Sequence, residues 1–328
     1  MRWTVPGGES EGGPPALAPD GRLRATGILT ASTIAPTLRD NSLAVFAVAP
    51  QGQLAWTLWA LPWSTDLPQL PFSKGVAPLV TASNLLYMPV VGPSKVGAGV
   101  AVISPAGRPL RRVLANFSPY AFALARDGQV YGLGSDSQNR PRLEADSGDG
   151  RLRWSRAMTG TAVGGVLIGR SGSVYASDGT GFGPQDTGEL VAYTPAGRLL
   201  WQLHTAGAAT LGERGDGTLL VATGMGLSAV SPRGTYFWQR ALRHAPAAVY
   251  AGAIHGPSLA IDAAGRAYIG TADGLVRAVA PDGTLLWTIR AGPPSDTPPS
   301  CILGPRGQLV IAEEGTVPSS AGILRVYH

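Results

Sequence analysis

The chain has 328 residues, 44% of them hydrophobic and only 14% charged, a balance that excludes an intrinsically disordered chain. Its formal charge is +5, but only Lys74 and Lys95 among its 26 basic residues are lysines, and the arginines stand singly. Scattered cations of this kind read as solubilising charge and not as a nucleic-acid footprint. The single cysteine, Cys301, excludes an intramolecular disulfide and a cysteine metal site. It opens the apolar run Cys301-Ile302-Leu303, where a buried structural thiol is expected. No apolar run approaches the length of a membrane-spanning helix. The opening MRWTVPGG lacks the apolar segment of a signal peptide. The chain is therefore expected to be cytoplasmic, or a mature or excised domain.

Forty-five glycines and 28 prolines predict a turn every few residues, hence an all-β protein. Along the chain, a tight turn followed by a β-rich run recurs at Asp20-Gly21, Ser83-Asn84, Asp127-Gly128, Ser171-Gly172, Asp216-Gly217, Ala264-Gly265 and Arg306-Gly307. Such pairs between apolar runs mark hairpins that need positive φ. Between these turns lies a second marker, a glycine four residues before a tryptophan. Gly52 leads to Trp56, Gly150 to Trp154, Gly197 to Trp201, Gly234 to Trp238 and Gly283 to Trp287, whereas Gly107 leads to Arg111 in a degenerate copy. Pro50, Pro105, Pro195, Pro232 and Pro281 stand two residues before five of these glycines, as a turn with a fixed first φ requires.

Each unit thus predicts four short strands. In the sixth they are SLAI (258–261), RAYIGT (266–271), LVRAVA (275–280) and TLLWTI (284–289). The units run roughly over 15–60, 77–115, 121–157, 165–203, 210–242, 257–290 and 300–328 plus 1–5, leaving no room for a second domain within 1–328. The expected fold is a seven-bladed β-propeller with four-stranded blades. Its seventh unit ends after ILRVYH without a tryptophan strand, and Arg2-Trp3-Thr4-Val5 has the form of the missing one. Pairing the two would close the last blade and cover two sheet edges.

The running pattern P-x-L-A-x-D-G-x-x-Y-x-G … A-V-x-P-x-G-x-L-L-W resembles the pyrroloquinoline-quinone-like, or quinoprotein-like, propeller repeat. The likeness extends over essentially the whole chain and is weakest in the second unit. It implies that Trp3, Trp56, Trp154, Trp201, Trp238 and Trp287 dock between neighbouring blades as structural girders, a role that the size of the indole supports independently. It also leans the location towards an extracytoplasmic compartment.

Function is expected opposite the marker turns, where the connections 30–42, 60–76, 92–99, 134–142, 178–188, 242–256, 291–299 and 313–322 are longer, because long loops on a rigid scaffold carry binding. The proline-stiffened insertion 61–75 presents Trp63, Phe72 and Lys74; Trp63 is either a binding hot spot or an edge cap. Tyr120, His255 and Asp296, with Glu9, Glu11 and Thr161, approach the channel mouth, either as ligand contacts or as solvated loop groups. His255 has no recognisable catalytic partners. EADSGDG (144–150) lacks the ligand spacing of a calcium loop and reads as a turn.

The sequence reading is a monomeric, bacterial, non-catalytic scaffold or sensor module, without cofactor or metal, binding a protein, peptide or small ligand on its long-loop face. An enzyme working at the channel mouth is the alternative. A sugar hydrolase or lyase would need paired carboxylates from Glu9, Glu11 and Asp296. A quinone-dependent dehydrogenase resembles this repeat, but that class has eight blades and an adjacent-cysteine disulfide, which one cysteine cannot form.

Overall fold

The computed structural model describes residues 16–29, 42–51, 53–58, 78–90, 98–160, 164–183, 185–242, 257–294, 298–304, 307–313 and 323–327. These residues form seven antiparallel sheets, six of four strands and one of three, each joined in sequence order. Blade 1 comprises Ala16–Leu17, Leu23–Leu29, Ser42–Val48 and Leu54–Leu58; blade 2 comprises Leu79–Val80, Leu86–Val90, Gly99–Ile103 and Pro109–Val113. Blade 3 is built from Ser118–Leu124, Val130–Ser135, Pro141–Asp146 and Leu152–Ala157, and blade 4 from Val166–Ile168, Val174–Gly179, Gly188–Tyr193 and Leu199–Thr205. Blade 5 contains Ala209–Glu213, Leu219–Thr223, Gly226–Val230 and Tyr236–Ala241. Blade 6 contains Ser258–Ile261, Ala267–Thr271, Leu275–Val279 and Leu285–Arg290, within a residue of the strands expected for the sixth unit. The three strands of blade 7 are Ser300–Leu303, Leu309–Glu313 and Ile323–Tyr327; the segment 1–5 expected to complete it lies outside the described residues.

Two compact units divide the chain, Met1–Ser155 and Arg156–His328. The first carries blades 1 and 2 and most of blade 3, the second blades 4 to 7. In both, the core lies between sheets and not within one. Val45 of blade 1 clusters with Leu86, Met88, Val90, Ala101 and Ile103 of blade 2. Leu220, Ala222, Leu227 and Ala229 of blade 5 do the same with Ala267, Ile269 and Val279 of blade 6. A lone four-stranded sheet cannot bury both faces, so each blade depends on its neighbour. In blade 6 the second and third strands are accordingly buried, apart from half-buried Leu275, while the fourth is mostly exposed.

The marker turns behave as expected. Gly128 and Gly217 donate to the carbonyls three residues back, Ala125 and Arg214, at 3.0 Å. Both hold φ above +80°, in the region where an L side chain is strained. Asn84, in place of glycine in blade 2, adopts φ +61°, as asparagine tolerates. One expectation is corrected. The connection 134–142 is no long loop but another tight turn, in which Asn139 donates to Asp136 O at 3.0 Å with φ +62°. Asp136 caps it, accepting at Oδ1 from the backbone of Gln138 and Arg140; an aspartate and an asparagine supplied the turn chemistry that glycine usually provides.

Candidate functional site

The pairing of third and fourth strands slips by one residue just before the girder position. It does so between Ala47 and Val48, Val102 and Ile103, Ala192 and Tyr193, Ala229 and Val230, and Ala278 and Val279. The bulge turns the preceding residue outwards, which is why Leu110, Leu200, Phe237 and Leu286 are exposed. It also sets the girder opposite a fixed partner. Trp56, Trp201, Trp238 and Trp287 face Ala47, Ala192, Ala229 and Ala278. An alanine leaves room for the indole to lie over the sheet.

From there the indole reaches the next blade. Trp56, Trp201 and Trp238 donate through Nε1 to the carbonyls of Pro105, Pro232 and Pro281, each at 2.9 Å. These prolines stand two residues before the marker glycine of the following blade. That glycine therefore has a second reason to be glycine. A Cβ at Gly107, Gly234 or Gly283 would come within 2.7–2.8 Å of the tryptophan ring. Within a blade, the ring also meets the tyrosine three residues after the first marker. Tyr131–Trp154, Tyr175–Trp201 and Tyr268–Trp287 all have centroids 5.8 Å apart in tilted geometry. Trp56, Trp201 and Trp238 thus reach the next blade by packing and hydrogen bond, whereas for Trp154 and Trp287 the ring contact is with the tyrosine of their own blade; Trp3 lies outside the described residues.

Blades 1 and 2 vary this scheme. In blade 1 the tyrosine is replaced by Arg24, fully buried, with its guanidinium carbon 5.4 Å from the Trp56 ring centre, a cation–π substitute for the aromatic pair. Asp20 takes one of its N–H groups at 3.1 Å, while Nε and Nη1 have no hydrogen-bond partner among the described residues.

In blade 2 the tryptophan is replaced by Arg111. Its Nε donates to Gly148 O at 2.6 Å, and Gly148 stands two residues before the marker Gly150, where other blades place the acceptor for the indole. Nη2 reaches the Tyr87 hydroxyl at 3.5 Å. Opposite Arg111 is Val102, not alanine. The arginine keeps the hydrogen bond but not the bulk, and a groove of about 700 Å³ opens between blades 2 and 3. Leu79, Leu85, Tyr87 and Leu124 wall it, with Arg111 and Arg126 beside them. The sequence reading passed over Arg111 as degeneracy; the valine paired with it was the available signal.

The other end of the blades concentrates buried polar groups. Tyr120, on the first strand of blade 3, is 38% exposed, and its hydroxyl lies 2.5 Å from that of the buried Ser135. In blade 4, Asp178 is fully buried and accepts from the backbone of Gly160 and Gly179. Glu189 accepts from Thr159 N at 2.8 Å and Gln202 Nε2 at 2.7 Å. Both carboxylates are committed to holding the segment between blades 3 and 4. In blade 6, buried Arg277 is gripped by Asp273 and Thr271. Burial works against the charge on Asp273, but the hydrogen bonds of Arg277 and Thr271 prevail and hold its carboxyl below the usual range. Burial raises Glu144 and Asp146 in blade 3, and pushes the Cys301 thiol up to about 11, as expected of an inert buried cysteine.

Of the partner-facing residues expected from sequence, only Tyr120 is among the described residues; Trp63, Phe72, Lys74, His255 and Asp296 lie outside them, as do Glu9, Glu11 and Thr161. EADSGDG forms the turn before Trp154, with Gly150 donating to Ser147 O at 2.8 Å. Among the described residues no three His, Cys, Asp or Glu side chains come together as a metal site. No described helix is long and apolar enough to cross a membrane.

No protein-family model and no curated protein sequence matches the chain. Among solved structures it is similar to the Dos1 propeller, at 11% identity over 88% of this chain and 72% of that one, with a TM-score of 0.61. It is also similar to BamB from Moraxella catarrhalis, at 16% identity over 91% of this chain and 79% of that one, with a TM-score of 0.57. At such identities the likeness carries the fold alone, and that fold is the β-propeller.

Proposed function

We propose that this propeller is a non-catalytic binding scaffold of the pyrroloquinoline-quinone-like repeat type, monomeric, engaging a protein, peptide or small ligand at the long-connection end of its blades. The observation that carries the reading is Tyr120. An aromatic side chain 38% exposed on the first strand of a blade, its hydroxyl oriented by buried Ser135, is a pre-ordered contact of the kind that anchors interfaces. The commitment of Asp178 and Glu189 to backbone N–H groups supports a scaffold over acid–base chemistry. Trp63, Phe72, Lys74, His255 and Asp296 are proposed to share the surface.

The test is site-specific photocrosslinking from position 120, with position 237 on an exposed fourth strand as control. The reading predicts a defined adduct from 120 only, competed away by excess unlabelled parent protein and not by Tyr120→Ala protein. Equal labelling from both positions would contradict it. The enzyme alternatives are tested alongside. Dye reduction with added quinone and calcium, or release of reducing sugar from polysaccharides, would replace the scaffold reading if either turned over.

A further inference from the structure

We propose that the groove between blades 2 and 3 is a binding site for a small amphipathic carboxylate, its acid group held by Arg111 and Arg126 and its apolar body against Leu79, Leu85, Tyr87 and Leu124. This site lies at the marker-turn end of its blades and stands independently of the reading built on Tyr120.

The groove exists because a repeat rule is broken at one position. Between blades 1 and 2, 4 and 5, and 5 and 6, an indole lies across the interface and touches the next marker glycine, leaving no space for even one added carbon at Gly107, Gly234 or Gly283. Arg111 preserves the link to the following blade through Nε and leaves the area of an indole uncovered. The volume of about 700 Å³ falls within the range of small-molecule sites, which pair an apolar wall with a few convergent polar groups.

Charge selects the ligand. Among the described residues both ionic side chains lining the groove are arginines, and no carboxylate lines it. Arg126 is exposed and has no ion-pair partner among the described residues, and Arg111 has Nη1 to spare after its bonds to Gly148 and Tyr87. The neighbouring Asp127 is hydrogen-bonded by Gln129, through both its backbone and its side chain, and makes no ion pair with either arginine among the described residues. Guanidinium groups grip carboxylates through paired N–H donors, while the leucines favour an alkyl or aryl body over a free inorganic anion.

Isothermal titration calorimetry of the whole chain tests this with three probes: decanoate, decyltrimethylammonium and acetate. Decanoate is expected to bind saturably at one site; the cation of equal chain length and the tail-less anion are expected not to. Arg126→Gln, an exposed change, should weaken decanoate about tenfold, the loss of one charge-assisted contact. Arg111→Trp, which restores the repeat's own residue, should abolish binding while leaving the fold intact by thermal melting. Failure of decanoate to bind, equal binding of the ammonium probe, or unchanged affinity in Arg126→Gln would overturn the proposal. The last criterion holds even if Arg111→Trp fails to fold.

Discussion

Blades 5 and 6 of the second unit and blades 2 and 3 of the first solve the same problem differently. Between blades 5 and 6, Trp238 lies on Gly283 and bonds Pro281, while Arg240, two residues on, donates to Gly283 O. Indole and guanidinium are both present, and the space left along Trp238, Arg240 and Gly283 is about 350 Å³, half of that between blades 2 and 3. Between blades 2 and 3, Val100, Val102 and Val113 still pack on Phe117, Phe122 and Val130, and Leu114 N bonds Asp146, but at the girder position an arginine keeps the tie and leaves a groove. The contrast separates two functions that the tryptophan combines: a directional tie between blades and the exclusion of solvent. A repeat can keep the first and surrender the second, and the surrendered space becomes available for a ligand.

The two buried arginines sharpen this contrast most. Arg277 is fully buried and paired with Asp273, itself almost inaccessible; Arg24 is fully buried with two nitrogens unpartnered among the described residues and a quarter-exposed Asp20. Asp273→Ala should therefore cost about 3–5 kcal/mol, the penalty for stranding a buried charge. Asp20→Ala also strands a buried guanidinium, but Asp20 is a quarter exposed and the Trp56 face remains, so it should cost less, about 2 kcal/mol. Denaturant midpoints of the two variants give the comparison directly, and equal costs would mean that the Trp56 face does nothing to hold Arg24.

Next in size is the girder itself. Trp238→Ala removes packing and hydrogen bond together and should destabilise by about 3 kcal/mol. Arg111→Ala loses chiefly the bond to Gly148 and should cost about 1 kcal/mol. The glycines follow the same division. Gly283→Ala meets both positive φ and the Trp238 ring, for about 2–3 kcal/mol, whereas Gly128→Ala, with nothing within 4 Å of its added carbon, should cost only about 1 kcal/mol from φ. Chemical denaturation of all four variants distinguishes a filled interface from an open one.

The smallest expected effect is in pH. The Asp273 carboxyl is held below its ordinary value, so its stabilisation is present above that ordinary value, about 4, and is lost as pH falls through the folded pKa. Glu144 and Asp146 are raised by burial. Their contribution is complete below the ordinary carboxylate range and declines as pH rises through the folded values. Hydrogen exchange, corrected for intrinsic rates, should show Pro141–Asp146 gaining relative protection as pH falls to about 4, and the strand Leu275–Val279 losing protection below it. Parallel loss in both strands would refute the assignment of opposite shifts.

Much of this architecture was legible in the residues. Glycine and asparagine at the positive-φ turns, and glycine four before tryptophan, placed the strands because each reports a local backbone need. The tryptophan girders were legible for the same reason: an outer-strand indole must be covered. The groove was not, since it follows from what Arg111 fails to fill, and absence of bulk leaves no motif. It could have been sought in the pairing of Arg111 with Val102, where other blades pair tryptophan with alanine. The tight turn at 136–140 was missed because Asp136 and Asn139 do the work without a glycine. Trp63, Phe72, Lys74, His255 and Asp296 belong to connections whose composition indicates exposure but not position. Closure of blade 7 by Trp3 remains a proposal of the same kind; Trp3→Ala should lower the melting temperature as Trp238→Ala does.

The direct test of the girder account is to put the missing pair back. Val102→Ala is the background, and Val102→Ala with Arg111→Trp rebuilds the alanine–tryptophan pair of blades 1, 4, 5 and 6. Thermal unfolding of the double variant should occur above that of Val102→Ala alone, because the indole recovers burial on blade 3 and can still reach Gly148. A double variant that melts below its background would show that Arg111 is no substitute for a girder, and that blades 2 and 3 are joined in some other way.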